Sequence, residues 1–416
     1  MPLSALCLIA QTQALKMFFG QNFRHLRYTL NGINVIFAPY FLTIQLKAIA
    51  KPMLPTEQIL TEDALSFLTR YLNTPSPTGC EWRGQQTWLD YAKPYFDHYE
   101  VDNYGTVYGI INPNKPYRVV IEAHVDEISW VVNHISDEGL LYVYRNGGSD
   151  HLQALSKRVN VYSRDMQHSI KAVFGWPAIH LRRDSDPAPK VESLFLDCGC
   201  QSKQEVLDLG IGIGSMVVYE DEFISLNQRY YMGRALDNRM GGFMIAQVAR
   251  MLRENNIELP YSLYVVNSVQ EEIGLRGAAM VSRTIQPHVA LITDVTHDTS
   301  TPGINRIKYG SIKSGEGPSI ALGAAVQNKF ADLIINTAKI CEIPYQIEVC
   351  GDSTGTDTDA FAYSYKGTVS ALLSLPLRYM HSTVEMTHQD DVVNTIRLMY
   401  EVLQKIEEGH NFKYLH

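Results

Sequence analysis

Five short clusters of acidic residues and histidines constrain this chain more than any other feature of its sequence. Four of the clusters follow an apolar run of the kind that forms a buried strand, and one leads into a helix-like stretch. The carboxyl ends of strands are where α/β sheets bind ligands, so we expect the clusters to meet at one site. They are AHVDE with His124 and Asp126, RALDNR with Asp237, VQEEIG with Glu271 and Glu272, LITDVTHD with Asp294, and RYMHST with His381.

The side chains in these clusters are typical metal ligands. Imidazoles and carboxylates together suit zinc, cobalt or manganese, and the lack of a thiolate among them favours a catalytic metal centre over a structural one. Asp237 precedes a helix, where its carboxylate can bridge two cations, although an N-cap role is the alternative. The pattern therefore predicts a two-metal hydrolase.

Two of the clusters suggest a division of tasks. Strand side chains alternate, so His124 and Asp126 share a face, and Asp126 can hold the imidazole in one tautomer. Alone, this pair could also be a buried histidine beside a surface acid. Glu271 and Glu272 follow the uncharged run YSLYVVNSVQ, so we expect one to bind metal while the other faces the attacking water.

Bulk properties exclude some classes of partner. The net charge of −8 disfavours nucleic acid, because a phosphate-binding face needs a basic excess. The apolar segment 33–46 is shorter than the roughly 20 residues of a membrane span and contains Pro39. Six cysteines without a C-x-x-C pair argue against a zinc ribbon and fit a reducing compartment. We therefore expect a cytoplasmic protein with no nucleic-acid or membrane partner.

The order of predicted elements indicates an α/β fold split by an insertion. A chain of 416 residues is too long for one ordinary core. Helices and strands alternate over 53–128 and again over 229–416, which predicts one catalytic α/β domain. Short strands and turns fill 129–228, which predicts an inserted β-rich domain. Residues 1–52 stand apart, because no Asp or Glu occurs before Glu57. We interpret them as an extension that is disordered or precedes a true start at Met53, with a targeting segment as the alternative.

Two other hydrolase types remain open from the residues alone. Gly351-Asp352-Ser353-Thr354-Gly355 matches a nucleophile elbow, and His388 or His410 with Asp357 would complete a serine esterase triad. A glycoside hydrolase would instead use two opposed carboxylates without a metal.

The ordered motifs resemble the M42 metallo-aminopeptidases. The resemblance extends from about Met53 to the C-terminus and includes AHVDEI, GRALDNR, VQEEIGLRGA, TDVTHD, GEGPSI, TDAFAY and RYMHSTVEM. It implies a mixed-sheet di-metal exopeptidase domain of the phosphorylase/hydrolase-like type. The insert would then be a small PDZ-like or β-barrel dimerisation domain.

The resemblance also implies roles for single residues and for partners. It implies two divalent metal ions per subunit, zinc or cobalt. Glu271 would be the general base, and Asp126 would be the second catalytic residue. Substrates would be peptides with a free N-terminus, and the subunits would form a homo-oligomer of dimers, a dodecamer. One metal would be bound by His124, Asp237 and Asp294, and the other by Asp237, Glu272 and His381.

Some positions depart from the family pattern. Ser129 and Trp130 follow AHVDEI where the family usually has glycine, and we expect them to narrow the floor of the site. Cys198 and Cys200 replace small residues of the insert.

Overall fold

The computed structural model describes residues 54–183 and 188–415 in full, together with the backbone of three strands near the N-terminus. These are β1 (Arg27–Leu30), β2 (Ile33–Ala38) and β3 (Phe41–Thr43), which pair antiparallel in the order β1-β2-β3. The rest of the predicted extension, residues 1–52, lies outside the described residues. Leu54–His416 forms a separate compact unit.

A mixed eight-stranded sheet forms the centre of this unit, in the order β18-β17-β19-β16-β6-β15-β5-β4. Strands β19, β16, β6 and β15 are parallel neighbours and almost wholly buried, as expected for apolar runs covered on both faces. Their parallel direction places the ends of several strands at one edge of the sheet. The strands are β4 (His98–Val101), β5 (Val107–Ile111), β6 (Arg118–His124), β15 (Ser262–Ser268), β16 (Val289–His297), β17 (Ser319–Leu322), β18 (Gln346–Val349) and β19 (Val369–Leu377).

Helices pack around this sheet. The longest is buried at every position from Leu236 to Leu252, so it lies in the core rather than at the surface. A threonine cap fixes the start of the second helix, where Thr61 Oγ1 accepts a hydrogen bond from the Ala64 amide (3.2 Å). The helices are α1 (Thr56–Ile59), α2 (Glu62–Asn73), α3 (Trp82–Ala92), α4 (His151–Ala154), α5 (Lys203–Asp208), α6 (Leu236–Glu254), α7 (Arg276–Ile285), α8 (Arg306–Tyr309), α9 (Asn328–Ile340), α10 (Asp357–Ala362) and α11 (Gln389–Leu403).

A closed six-stranded barrel follows β6 in the chain, in the order β10-β11-β8-β7-β12-β9. Its own apolar core includes Trp130, Phe174 and Leu196. The predicted α/β fold with a mixed sheet and an inserted β-rich domain is therefore confirmed. The barrel strands are β7 (Ser129–Ile135), β8 (Leu141–Asn146), β9 (Arg158–Tyr162), β10 (Ser169–Phe174), β11 (Phe195–Asp197) and β12 (Met216–Tyr219).

A small antiparallel sheet connects two segments that are distant in sequence. It contains β13 (Ile224–Leu226), β14 (Tyr230–Gly233) and β20 (Glu385–His388), in that order. Gly233 is paired with Glu385, which brings the chain before α6 next to the chain after β19. Among the fully described residues, no helix combines the length and the apolar character needed to cross a membrane.

Candidate active site

The structure brings all the predicted site residues together at the carboxyl edge of the parallel strands. His124 is the last residue of β6, and Asp294 lies near the end of β16. Glu271 and Glu272 come three and four residues after β15. The start of α6 carries Asp237, and His381 follows β19.

Five of these side chains form two groups of three that share Asp237. The first group is His124, Asp237 and Asp294, and the second is Asp237, Glu272 and His381. Within each group the potential ligand atoms lie within 4.8 Å of one another. Asp237 Oδ1 lies 3.3 Å from His124 Nε2, and its Oδ2 lies 3.2 Å from His381 Nε2, so each oxygen faces a different histidine.

Local backbone geometry explains how Asp237 reaches both groups. Its φ of −77° and ψ of 111° are not helical, so the regular part of α6 begins after it. The regular helix is capped by Asn238, whose Oδ1 accepts a hydrogen bond from the Gly241 amide (3.2 Å), so the alternative capping role of Asp237 is not observed. Its amide donates to Glu385 Oε2 (3.1 Å), which leaves the carboxylate directed at the histidines.

The pair of glutamates lies in a turn rather than on a strand. Strand β15 ends at Ser268, and Gln270 has a φ of +58°, so the expected strand alternation does not apply. Both side chains reach the site instead. Glu271 Oε2 lies 3.8 Å from His124 Nε2, and Glu272 Oε2 lies 3.5 Å from His381 Nε2. Glu271 belongs to neither group of three.

Asp126 contacts both His124 and the turn that carries Glu271 and Glu272. It is fully buried, and His124 Nδ1 lies 3.2 Å from its backbone carbonyl oxygen and 3.4 Å from its Oδ1. Its two carboxylate oxygens accept hydrogen bonds from the amides of Glu271 (3.0 Å) and Glu272 (3.2 Å). Thr78 Oγ1 donates to the same carboxylate (2.9 Å). One buried aspartate, through its backbone carbonyl and its carboxylate, thus holds both the histidine and the turn.

Burial and close charges shift the pKa values of the site in both directions. Burial raises the pKa of Glu271 to about 11, although His124 opposes the shift. Burial also raises the pKa of Glu272 and of Asp294 to about 8 each. Burial lowers the pKa of His381, but the hydrogen bond to Asp237 outweighs it and brings the value to about 10. For Asp237, hydrogen bonds from both histidines outweigh burial and hold the pKa well below its usual range.

The sequence did not point to Glu385 as a functional residue. Its buried carboxyl accepts hydrogen bonds from the backbone amides of Asp237 (3.1 Å) and His381 (2.8 Å). Burial raises its pKa well above the usual value. It lies four residues after His381 in sequence, but its pairing opposite Gly233 in the small sheet becomes evident only from the structure.

A buried ion network was missed as well. The carboxylate of Glu127 contacts Arg234 and lies 3.3 Å from Arg239 Nη1, with all three residues buried. Arg239 also lies over the Tyr71 ring, 4.7 Å from its centroid. The two arginines flank Asp237 in sequence, so this network anchors the segment that carries the shared carboxylate.

The structure does not assemble the serine triad. Ser353 Oγ donates to Asp359 (2.6 Å), whereas Asp357 accepts from Ser268 (2.7 Å). His388 Nδ1 accepts from the Asp390 amide (3.1 Å) at the start of α11, and His410 stacks on Phe412. The four candidate triad residues thus interact with other residues rather than with one another.

The expectation that Trp130 narrows the floor of the site is wrong. The indole is fully buried in the barrel core, beside Phe174, and its Nε1 donates to the Tyr219 hydroxyl (3.1 Å). Side chains alternate along β7, so the Trp130 and Ser129 side chains point in opposite directions, and Ser129 contacts the end of β8. Ser129 Oγ accepts from Asn146 Nδ2 (2.9 Å).

Comparison with known proteins agrees with this arrangement. Residues 105–398 match the model of the M42 glutamyl aminopeptidase family. A lysyl aminopeptidase from Pyrococcus furiosus is 31% identical over 345 residues, which cover 82% of this chain and 97% of the relative.

Solved structures show the same fold. A TET aminopeptidase from the marine sediment archaeon Thaumarchaeota archaeon SCGC AB-539-E09 superposes with a TM-score of 0.79 at 27% identity, covering 85% of this chain and 99% of that one. PhTET1-12s, described as a dodecamer, gives a TM-score of 0.73 at 27% identity, with coverage of 82% and 99%.

Proposed function

Because this chain belongs to the M42 glutamyl aminopeptidase family, we propose that its buried centre removes N-terminal residues from peptides with the help of two divalent metal ions. The observation that carries the proposal is the pair of three-residue groups that share Asp237. Two cations bridged by one carboxylate are the arrangement of paired-metal hydrolases.

The donor set fits zinc or cobalt. Imidazole nitrogens and carboxylate oxygens are borderline to hard ligands, and no thiolate is among them. His124, Asp237 and Asp294 would bind one ion, and Asp237, Glu272 and His381 the other. Both groups are largely buried, so a bound cation would also offset the repulsion between nearby carboxylates.

The chain's own residues would then perform the proton transfers. When bound, the two ions would polarise the scissile carbonyl and stabilise negative charge that develops on its oxygen. Glu271 is the proposed general base, because it reaches the site without being part of either ligand group. Its carboxylate would take a proton from the attacking water and deliver it to the leaving amine. Bound cations would lower its raised pKa and leave it ionised for this task.

Asp126 would act as a positioning residue. It holds His124 through the ring nitrogen that faces away from Asp237, and it holds the glutamate turn through two amides. Metal-bound histidines usually need such a partner to fix their tautomer and orientation.

We also propose the assembly and location of the protein. The domain division at 53–128, 129–228 and 229–416 would make the barrel a dimerisation module, and dimers would assemble into a dodecamer. The similar PhTET1-12s is described as a dodecamer, which supports this proposal. Cys80, Cys198, Cys200 and Cys350 form no disulfide, which supports a reducing compartment such as the cytoplasm.

The proposal is tested with a panel of aminoacyl-p-nitroanilides and the metal-stripped protein, before and after addition of Co²⁺ or Zn²⁺. We expect activity only after metal addition, and none on N-acetylated substrates. Ser353→Ala is the matched control and should retain full activity. Chelator-insensitive cleavage of a β-glucan would favour the glycoside hydrolase, and loss of ester cleavage in Ser353→Ala would favour the esterase.

A further inference from the structure

We propose that Gly147 and Gly148, which directly follow barrel strand β8, form a wall that positions the metal ligands Glu272 and His381. The proposal rests on the metal-ligand roles given above. It makes one of the two metal sites depend on a backbone segment of the inserted barrel.

Gly148 lies directly against the imidazole of His381. A Cβ atom added to Gly148 would lie 2.4 Å from His381 Nδ1 and 2.6 Å from its Cε1. These separations are far below van der Waals contact, so any larger residue would displace the ring. The ring's other nitrogen, Nε2, faces Asp237 and Glu272. The glycine therefore supports the histidine from the side opposite the metal position.

Gly147 makes a similar approach to Glu272. Its φ of +77° favours glycine, and an added Cβ would lie 3.2 Å from Glu272 Cβ and 3.1 Å from Ile128 Cγ2. The atoms nearest to the two added Cβ positions belong to His381, Glu272 and Ile128. The wall thus faces the second ligand group.

Hydrogen bonds hold this segment in place. Asn146 Nδ2 donates to the Thr78 carbonyl (2.7 Å) and to Ser129 Oγ (2.9 Å). Ser149 Oγ donates to the Ser129 carbonyl (2.8 Å), and both serines are almost completely buried. Because the segment is anchored on both sides of the glycine pair, a clash at Gly148 should move the ligand rather than the wall.

His381 is the ligand that most needs such support. Its side chain is 32% exposed, whereas the side chains of the other four ligands are at most 8% exposed. It also lies on a connection after β19, with a φ of +60°, rather than on a strand. Packing around the other ligands restrains them more fully.

The test is calorimetric titration of the metal-stripped full-length chain with Co²⁺. We expect two equivalents for the wild type. Gly148→Ala should retain one equivalent with unchanged affinity and bind the other about 10- to 100-fold more weakly, the usual effect of losing an outer-shell support. Gly212→Ala is the matched control, because it lies in the same barrel, has no positive φ and has nothing within 4 Å of an added Cβ. It should titrate like the wild type.

Two further variants show whether Gly148 acts through His381. The double variant Gly148→Ala/His381→Ala should bind metal as His381→Ala does, because coupled residues are not additive. If Gly148→Ala fails to fold, Ser149→Ala loosens the same segment and should weaken the same equivalent to a smaller degree.

The outcomes separate this proposal from the proposed function. Two unchanged equivalents in Gly148→Ala, or equal weakening of both, would overturn the positioning role while leaving the metal centre intact. Fewer than two equivalents in the wild type would refute the paired metal centre itself, and the role of the wall with it.

Discussion

At the scale of single residues, Glu271 and Glu272 are neighbours with different proposed tasks. Replacing Glu271 by Gln removes the base but no metal ligand, because Glu271 belongs to neither group of three. We expect kcat to fall by about 10²- to 10⁴-fold, the usual contribution of a general base, with the metal content unchanged. Steady-state kinetics and elemental analysis of the purified variant measure both quantities.

Glu272→Gln is the matched comparison, since it removes a ligand of the second group. It should lower the metal content as well as the activity. If Glu271→Gln keeps wild-type kcat, or loses metal in the same way as Glu272→Gln, the division of tasks is wrong.

The shifted pKa values predict how metal binding depends on pH. Without metal, Glu272 and Asp294 carry protons below about pH 8, and His381 does so below about pH 10. Ligands must lose these protons to bind a cation, so apparent affinity should rise between pH 6 and pH 9. Calorimetry in two buffers with different ionisation enthalpies counts the protons released. An affinity that does not change over this range would contradict the prediction.

The sequence identified the residues that the structure brings together more readily than the residues that hold them in place. Imidazole and carboxylate side chains at strand ends carry a chemical signal, so His124 and Asp294 could be identified from the strands before them. Glu385 and Gly148 carry no such signal, because a buried acid and a glycine have many ordinary roles. Gly148 meets His381, and Glu385 meets Asp237, only because the fold brings together segments that are distant in sequence.

At the scale of single elements, the missing side chain of Gly277 allows the start of α7 to lie close to the backbone of Val269. An added Cβ would lie 2.2 Å from the Val269 carbonyl oxygen, which is backbone and cannot easily move. Gly277→Ala should therefore destabilise the fold by about 1 to 3 kcal/mol, a typical cost of overpacking. Urea denaturation measures the loss.

Gly351→Ala serves as the control, because an added Cβ there meets nothing within 4 Å. It should change the free energy of unfolding by no more than about 0.5 kcal/mol. Equal stability of the two variants would show that α7 can shift away from Val269.

Hydrophobic runs identified the central strands because buried parallel strands are apolar at nearly every position. Turns were harder to predict, because they depend on single backbone angles. The apolar residues of HYEVDNYGTVYGIIN continue on both sides of a turn, and the run contains β4 and β5 in a hairpin, with Asp102 accepting from the amides of Tyr104 and Thr106. Likewise, the segment after Gly355 has few strong helix formers, yet the Thr356 side chain caps the short helix α10.

At the scale of the whole molecule, bound metal should contribute to the stability of the fold. The proposed ligands come from five separate segments, so a cation should bind the native chain much better than the unfolded one. At a free metal concentration 100 times Kd, each site should add about 2.7 kcal/mol. Calorimetry with Co²⁺ or with chelator should therefore show a clear fall in Tm on metal removal. An unchanged Tm would mean that the centre does not bind metal under these conditions.

The overall architecture followed from the sequence because helix–strand alternation and short strands produce different patterns. The closure of the barrel did not follow, since it depends on pairing of β12 with β9 and with β7, which are distant in sequence and which no local pattern specifies. The Glu127 network was missed for a related reason. Its arginines lie more than 100 residues from Glu127, and only the fold brings them together.

The spread of the ligands along the chain has a consequence for when the enzyme becomes active during its synthesis. The first proposed ligand in sequence is His124 and the last is His381, and each group of three contains residues from distant segments. A ribosome-bound chain that has not yet reached residue 381 lacks a ligand of the second group. An incomplete chain would therefore lack peptidase activity. Other newly made proteins would not be cleaved by a partly synthesised subunit.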